Sequence, residues 1–116
     1  MSCPSGWTMI GDPGAIGTYC IETNERAATS YFNAKSICAG LKPTGFSWAH
    51  LCDHNEWYVA CLNGTGLSNM TNNWEWVSDF RNSTVGGHAF IAGNGGCDTV
   101  HSDGISDPVA FRCCLR

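Results

Sequence analysis

Charged residues are scarce in this sequence, at 14% of 116 residues, against the roughly 25% typical of soluble domains. The six Lys and Arg residues form no cluster and the net charge is −4, so no positive patch is available for a phosphate backbone. We therefore expect no nucleic-acid partner. Neutral polar side chains must cover the surface, which favours recognition through hydrogen bonds.

Long apolar runs are also missing. No stretch approaches the ~18 consecutive apolar residues of a membrane span, and Met1 is followed by Ser-Cys-Pro rather than by a signal peptide. We expect no membrane insertion and interpret the chain as a mature or excised domain. Its length fits a single domain, residues 1–116, with one modest core.

Cysteine, in contrast, is abundant. The chain has eight cysteines and no CxxC pair of the kind that holds zinc. Because a reducing cytosol would leave eight thiols without a role, we expect disulfides and an extracellular, secreted or particle-surface location. The disulfide cysteines are Cys3, Cys20, Cys38, Cys52, Cys61, Cys97, Cys113 and Cys114.

The first half of the chain predicts a hairpin and two helices. Strands at Trp7 to Ile10 and Thr18 to Ile21 flank a Gly/Pro-rich turn, and a Cys3–Cys20 bridge would close that hairpin. Near-helical apolar spacing predicts a first helix within residues 24–40. Its expected bounds are a cap at Thr23 or Asn24 and an end at Gly40, and a second helix is expected from Asp53, with Glu56 completing a capping box, to Asn63-Gly64.

The second half has a different composition, with Gly, Asn, Asp and Ser between short apolar runs. Those runs predict strands at Trp74 to Val77, His88 to Ala92 and Val109 to Cys114. Long loops in a small domain are usually functional. The whole chain therefore reads as one α+β unit.

Several motifs resemble a known fold. "CPSGW", the Cys inside the first helix and the Cys in the final strand look like the C-type lectin fold. "AHLCDHNEWYVAC", "NNWEWVSDF" and "AFRCC" resemble its formylglycine-generating-enzyme-like (sulfatase-modifying factor) branch. The residues that carry this second resemblance are Leu51, Cys52, Glu56, Trp57, Asn72, Trp74, Glu75, Trp76, Phe111, Arg112 and Cys113.

The resemblance implies a fold and a partial disulfide pairing. The fold would be α+β and C-type lectin-like, with an N-terminal hairpin, two helices and a loop-rich antiparallel sheet, stabilised by disulfides. Cys3 would pair with Cys20, and Cys38 with Cys113 or Cys114. The remaining four cysteines, including Cys52, Cys61 and Cys97, would pair among themselves.

The Trp-Glu-Trp segment has two interpretations. Trp74 and Trp76 would share one strand face, and burying both indoles would contribute several kcal/mol. Glu75 and Asp79 would face the other way, with Arg112 as a partner. We favour this scaffold role over direct ligand contact.

The resemblance also raises an enzymatic alternative, because enzymes of this branch bind copper through two nearby cysteines and oxidise a substrate cysteine to formylglycine. Here the late loop region contains only Cys97, and Cys113 and Cys114 are neighbours on a strand and face opposite ways. The four histidines, His50, His54, His88 and His101, accompany no triad or nucleophile motif. We predict a non-enzyme with no catalytic residues.

Metal binding is a further alternative. The run of His50, Cys52 and His54 suggests zinc, but its ligands would rarely converge, so no metal ligand is assigned. Hard oxygens for calcium are present on Asn94, Asp98, Asp103 and Asp107, although these residue types also form turns. We expect no cofactor, with calcium as the alternative.

The predicted function is non-catalytic recognition of a surface protein or glycan, as in the variable, receptor-binding proteins of phages and microbes that the branch includes. The expected ligand residues follow the Trp-Glu-Trp strand and are Asn82, Ser83, His88, Asn94, His101 and Asp103. A self-associating subunit or tip of an extracellular fibre is the alternative of a different class. Sequons at Asn63, Asn69 and Asn82 are either glycan acceptors or chance.

Overall fold

The structure, a computed structural model, describes residues 2–11, 17–81 and 87–116. Over these residues the chain is α+β, with two helices and two β-sheets, as expected. The elements are β1 Trp7–Ile10, β2 Tyr19–Glu22, β3 Arg26–Thr29, α1 Tyr31–Ala39, β4 Ala49–Leu51, α2 His54–Asn63, β5 Glu75–Arg81, β6 His88–Ala92, β7 Val100–Gly104, β8 Val109–Phe111 and β9 Cys113–Leu115.

The first sheet joins the two ends of the chain. Its strand order is β1-β2-β9-β4, and its neighbours pair antiparallel. The predicted N-terminal hairpin is therefore present, and the last strand lies between it and β4. The Gly/Pro-rich turn predicted between its strands includes residues 12–16, which lie outside the described residues.

The second sheet has the order β3-β8-β5-β6-β7. It is mixed rather than antiparallel, because β5 and β8 run parallel. The strand predicted at Val109 to Cys114 is in fact two, β8 and β9, which belong to different sheets. Arg112 lies between them, where the chain crosses from one sheet to the other.

The first helix is shorter than expected. It starts at Tyr31, with the Ser30 hydroxyl as N-cap, and ends at Gly40. The prediction of a helix from residue 24 and a cap at Thr23 or Asn24 was wrong, because residues 26–29 form β3 and pair with β8. Ala-rich sequence favours a helix by propensity, but strand pairing overrides that preference here.

The second helix forms as predicted. The Asp53 carboxylate accepts a hydrogen bond from Glu56 N at 2.7 Å, and the Glu56 carboxylate accepts one from Asp53 N at 3.0 Å. This capping box satisfies two backbone donors that the first turn would otherwise leave unpaired. The helix ends at Asn63, before Gly64.

Two apolar clusters lie on opposite faces of β5 and β6. Trp76 and Ile91 pack with residues of α1, whereas Val77 and Ala92 pack with residues of α2. Side chains alternate along a strand, so one pair of strands supplies both clusters. The second sheet is thus held between the two helices.

Four disulfides tie these layers together, so the expected disulfide-stabilised character is confirmed. They pair Cys3 with Cys20, Cys38 with Cys113, Cys52 with Cys114, and Cys61 with Cys97. Two of the bridges anchor β9, and the last joins α2 to the loop between β6 and β7. In the described ranges, neither helix has the length and apolarity needed to cross a membrane.

Strand β7 was not predicted from the sequence. Val100 is its one apolar side chain, and its other residues are His, Ser, Asp and Gly, so no apolar alternation marks it. It forms because β6 offers a pairing edge from His88 to Ala92. As the outer strand of the second sheet, β7 brings its polar side chains to the surface.

Candidate functional site

Glu75 and Arg112 form a buried ion pair at the centre of the molecule, as the sequence predicted. Both side chains are fully buried, and two hydrogen bonds of 2.8 Å join the guanidinium to the carboxylate. Trp57 Nε1 also donates to the carboxylate, at 3.2 Å. Burial raises the pKa of the Glu75 carboxyl above its ordinary value, although Arg112 and Trp57 oppose that rise.

The remaining Arg112 donors satisfy backbone carbonyls. Nη1 donates to Glu22 O and Thr23 O, at 3.1 and 3.2 Å, and Nη2 donates to Ser68 O. A buried charge is tolerated when its hydrogen-bonding capacity is used in this way. Arg112 thereby fastens the hairpin and a loop to β5, which is a structural role.

Asp79 does not share this partner. It is exposed, and its carboxylate accepts a hydrogen bond from His54 N at 2.7 Å, at the first residue of α2. The expectation that Arg112 would serve both Glu75 and Asp79 was therefore wrong for Asp79. A bulge or irregularity between Trp76 and Phe80 changes the register of β5 before Asp79 is reached.

The two tryptophans of this segment have different surroundings. Trp76 is fully buried, and its indole Nε1 donates to Thr29 O at 2.8 Å. Trp74 precedes β5 and packs against the same apolar cluster as Trp76, but it is only half-buried, so the expected burial of both indoles is incomplete. The Trp74 ring meets the exposed His101 ring edge-on, with centroids 5.1 Å apart.

A surface cleft of about 320 Å³ adjoins Trp74, and we call it the Trp74 cleft. Its volume lies at the lower end of the range for small-molecule sites, about 300–1,000 Å³. Trp74, Asn73 and Asp103 contribute to its wall together with residues 25–28 and 108–110. Apolar and polar groups therefore meet in one concave surface.

A network of exposed polar side chains orders the rim of this cleft. The Glu25 carboxylate accepts hydrogen bonds from Asn73 Nδ2, at 3.2 Å, and from Asn69 Nδ2, at 3.3 Å. Asn72 Nδ2 donates in turn to Asn69 Oδ1 at 3.1 Å. These contacts fix the amides in place and leave further donors and acceptors available to a ligand.

Asp103 contributes an acid group to the cleft. Its carboxylate accepts a hydrogen bond from Gly104 N at 2.8 Å. The pKa of Asp103 is raised above its ordinary value, mainly by a hydrogen bond with Asp107 and also by partial burial. Asp103 presents its carboxyl oxygens to the cleft as hydrogen-bond acceptors.

The residues predicted to bind ligand divide into three groups. Asp103 lines the Trp74 cleft and His101 contacts Trp74, so these two lie together. His88 pairs with Gly104 at one end of β6, beside Asp103, whereas Asn94 follows the other end of that strand. Asn82 and Ser83 lie outside the described residues, as does the sequon at Asn82.

The sequence analysis did not select Glu25, Asn69 or Asn73 as ligand residues. Glu25 lies within the range predicted as the first helix, but that helix begins only at Tyr31. The Asn-rich run 69–73 was interpreted through its sequon and as a loop. The signal that could have identified it is the density of amide side chains directly before Trp74.

The residues considered for metals do not converge. Asp98 precedes β7, whereas Asp103 lies about 10 Å along that strand from its first residue. Cys52 of the His50-Cys52-His54 run is bonded to Cys114. Within residues 2–11, 17–81 and 87–116, no group of three His, Cys, Asp or Glu side chains is arranged to hold an ion.

A second buried carboxylate supports the C-terminal strand. Glu56 accepts hydrogen bonds from His50 Nε2 and Arg116 Nε, both at 2.8 Å, besides the backbone of Asp53. Burial acts to raise the pKa of Glu56, but these hydrogen bonds outweigh it and hold the pKa below its ordinary value. Glu56 thus remains ionised in the fold.

Comparison with known proteins identifies no relative. The chain matches no protein-family model and no curated protein. The function is therefore argued from the residues and their geometry.

Proposed function

We propose that the chain is an extracellular, non-catalytic recognition domain with a C-type lectin-like fold. Two observations support the fold assignment: the N-terminal hairpin pairs with the last strand, and Cys38 of α1 is bonded to Cys113 of that strand. The motif resemblance to the formylglycine-generating-enzyme-like branch agrees with them. The four disulfides are compatible with an extracellular location.

The ligand face in this proposal is the Trp74 cleft with its amide rim. The observation that carries it is that the half-buried Trp74 indole, the Asp103 carboxyl and the Asn73 amide meet at one concave surface. The Glu25 carboxylate links Asn73 to the neighbouring amides of Asn69 and Asn72. Such a surface is ordered before the ligand arrives, so less conformational entropy is lost on binding. His101 extends the face on β7.

The expected ligand is a neutral, hydroxyl- or amide-rich group on a surface glycan or protein. Amide donors and acceptors pair with such groups, and the indole face covers their apolar side. The chain as a whole is weakly charged, so long-range attraction contributes little to the encounter. The variable, receptor-binding proteins of phages and microbes provide the nearest analogy in the branch that the motifs resemble.

Copper-dependent oxidation is the enzymatic alternative, and it would require a change in the cysteines. All eight are bonded in pairs, whereas the copper ligand would be a thiolate. Reduction of at least one bridge must therefore precede metal binding. Alkylation of the native protein without reductant, followed by intact mass, tests this: no added mass is expected, and two alkylated thiols would favour the enzyme.

The recognition proposal is tested by screening the labelled domain on arrays of glycans and of extracellular proteins. Trp74→Ala and His101→Ala are compared with Leu62→Ala, which removes an exposed side chain of α2. We expect binding to at least one array member that both cleft variants weaken at least tenfold and the control retains. Binding that all three variants retain would contradict the ligand face.

A fibre subunit is the second candidate, and an exposed aromatic pair favours it. Phe32 and Phe80 are 55% and 49% exposed, and their ring centroids lie 6.4 Å apart. Exposed aromatic patches mark association surfaces in soluble proteins. Light scattering over a concentration series tests this function: growth in mass that Phe32→Ser abolishes would support it, and a constant monomer mass would contradict it.

A further inference from the structure

Trp48 is an exposed tryptophan that the recognition face does not use. Its side chain is 52% exposed, in the segment between α1 and β4. Single apolar side chains are common at protein surfaces, but this one is held in a fixed position beside two clefts.

The position of Trp48 is fixed from two directions. Its backbone N–H donates to Arg116 O at 3.1 Å, and its carbonyl accepts from Arg116 N at 2.9 Å. Its ring stacks on His50, with centroids 3.5 Å apart and planes 15° from parallel. His50 is held in turn by the buried Glu56 carboxylate. The His50 ring therefore covers one face of the Trp48 indole and holds it in place.

Two clefts meet at Trp48. The first, of about 320 Å³, has Lys42 and Ser47 in its wall, and the second, of about 310 Å³, has Lys35, Asp53 and Ser78. Each cleft has the volume of a small-molecule site. Both share Trp48 with the small residues Ala39 and Ala49, so a bound molecule could extend from one cleft into the other.

We propose that Trp48 and these two clefts form a saccharide-binding site for a neutral oligosaccharide of two or more units. A pyranose ring has an apolar face of C–H groups that covers an indole, and hydroxyls at its edge that both donate and accept hydrogen bonds. The hydroxyl, ammonium and carboxylate groups of the clefts suit those edges. Adjacent sugar units would occupy the two clefts, with Trp48 between them.

The charges around Trp48 come close to balance. The second cleft carries Lys35 and Asp53 and the first carries Lys42, so the two clefts together carry one excess cation, and an uncharged ligand meets no strong repulsion there. A supported flat ring also loses little rotamer freedom on binding, as with other rigid aromatic anchors.

This site is separate from the Trp74 cleft, since the residues that line the two share no member. The inference does not rest on the proposed function. Each site can therefore fail while the other holds, and Leu62→Ala, at an exposed side chain outside both sites, serves as the control for Trp48→Ala.

The test is nuclear magnetic resonance of the ¹⁵N-labelled protein, which reports each tryptophan indole N–H. The probes are cellotriose, maltotriose, chitotriose, mannotriose and lactose, each at about 10 mM, which would nearly saturate a site with Kd ~1 mM. Trp57 and Trp76 donate to internal acceptors, Glu75 and Thr29, and serve as internal references. Assignments come from single Trp→Phe variants.

We expect at least one probe to shift the Trp48 indole signal with saturation, while the signals of Trp57 and Trp76 stay in place. Trp48→Ala should weaken that binding at least tenfold, and Leu62→Ala, which removes an exposed side chain outside both sites, should leave it unchanged. Absence of any saturable Trp48 shift across the five probes would overturn the proposal in the wild-type protein, whatever the folding of the variants. Binding retained by Trp48→Ala would also overturn it.

Discussion

The first and second halves of the segment 72–77 lie in different environments, although they are adjacent in sequence. Glu75 and Trp76 are fully buried and hold together the two sheets and the hairpin. Asn72 and Asn73 are exposed and donate hydrogen bonds to the rim side chains Asn69 and Glu25, and Trp74 lies half-buried between the two environments. The same short motif thus supplies part of the frame and part of the recognition face.

Residue type alone therefore does not determine the role of a residue in this segment. Trp74 and Trp76 are identical in chemistry, two positions apart and packed against the same apolar cluster, yet Trp76 lies within β5 and is fully buried whereas Trp74 precedes the strand and is half-buried. The role is decided by where β5 begins. Substitutions on the buried side should therefore change stability, and substitutions on the exposed side should change binding.

The largest effect is expected from Arg112→Ala. It would leave the buried Glu75 carboxylate without its partner, and breaking a buried pair costs about 3–5 kcal/mol of unfolding free energy. Urea denaturation measures the loss. The matched control is Arg26→Ala, which breaks a half-exposed pair with Glu22 and should cost less than about 1 kcal/mol. Equal losses in the two variants would contradict the buried role of Arg112.

The next effect concerns the disulfides of the frame and of the loop. Replacing Cys38 and Cys113 by Ala removes a bridge across 75 residues and should cost about 2–5 kcal/mol. Replacing Cys61 and Cys97 opens a span of 36 residues, about half as long, which predicts a loss smaller by about 0.6 kcal/mol. Thermal or urea unfolding of the two double variants measures both, and a larger loss for the shorter span would contradict this ranking.

The buried structural frame of the molecule was more predictable from the sequence than the proposed recognition face. The capping box of α2 follows from the local spacing of Asp53 and Glu56. The Glu75–Arg112 pair follows from the scarcity of charged residues, because a buried carboxylate needs a cationic partner and few residues can supply one. Strand β6 has a clear apolar run, and its bounds, His88–Ala92, agree with the prediction.

The face was less predictable because tertiary pairing creates it. β3 has helix-favouring residues and becomes a strand only against β8, which places Glu25 at the cleft rather than on a helix. β7 has no apolar alternation and forms only against β6, which brings His101 to Trp74. No local pattern in one sequence records either pairing.

A third, smaller effect is the pH dependence of Glu56. Its folded pKa lies below the ordinary value of 4.5, so its contribution to stability is complete above that value and is lost as pH falls through the lower folded pKa. Denaturation midpoints measured from pH 6 to pH 2 should fall less steeply for Glu56→Gln than for the wild type. Parallel curves would contradict the role of the His50 and Arg116 contacts.

The smallest effect on stability is expected from His101→Ala. Its side chain is exposed and makes one edge contact with Trp74, and a contact of this kind is worth about 0.5–1.5 kcal/mol at most. The unfolding free energy should therefore change by less than about 1 kcal/mol. A loss as large as that of Arg112→Ala would show that His101 has a structural role rather than a role in ligand binding.

The most direct test of the division between frame and face is a scan of every substitution at residues 72–77, displayed on cells. Each variant is sorted once for folding, by resistance to protease, and once for binding to the ligand that the arrays identify. We predict that substitutions at Asn72, Asn73 and Trp74 keep protease resistance and lose binding, whereas those at Glu75 and Trp76 lose protease resistance. Trp74 variants that unfold, or that fold and still bind, would contradict the account.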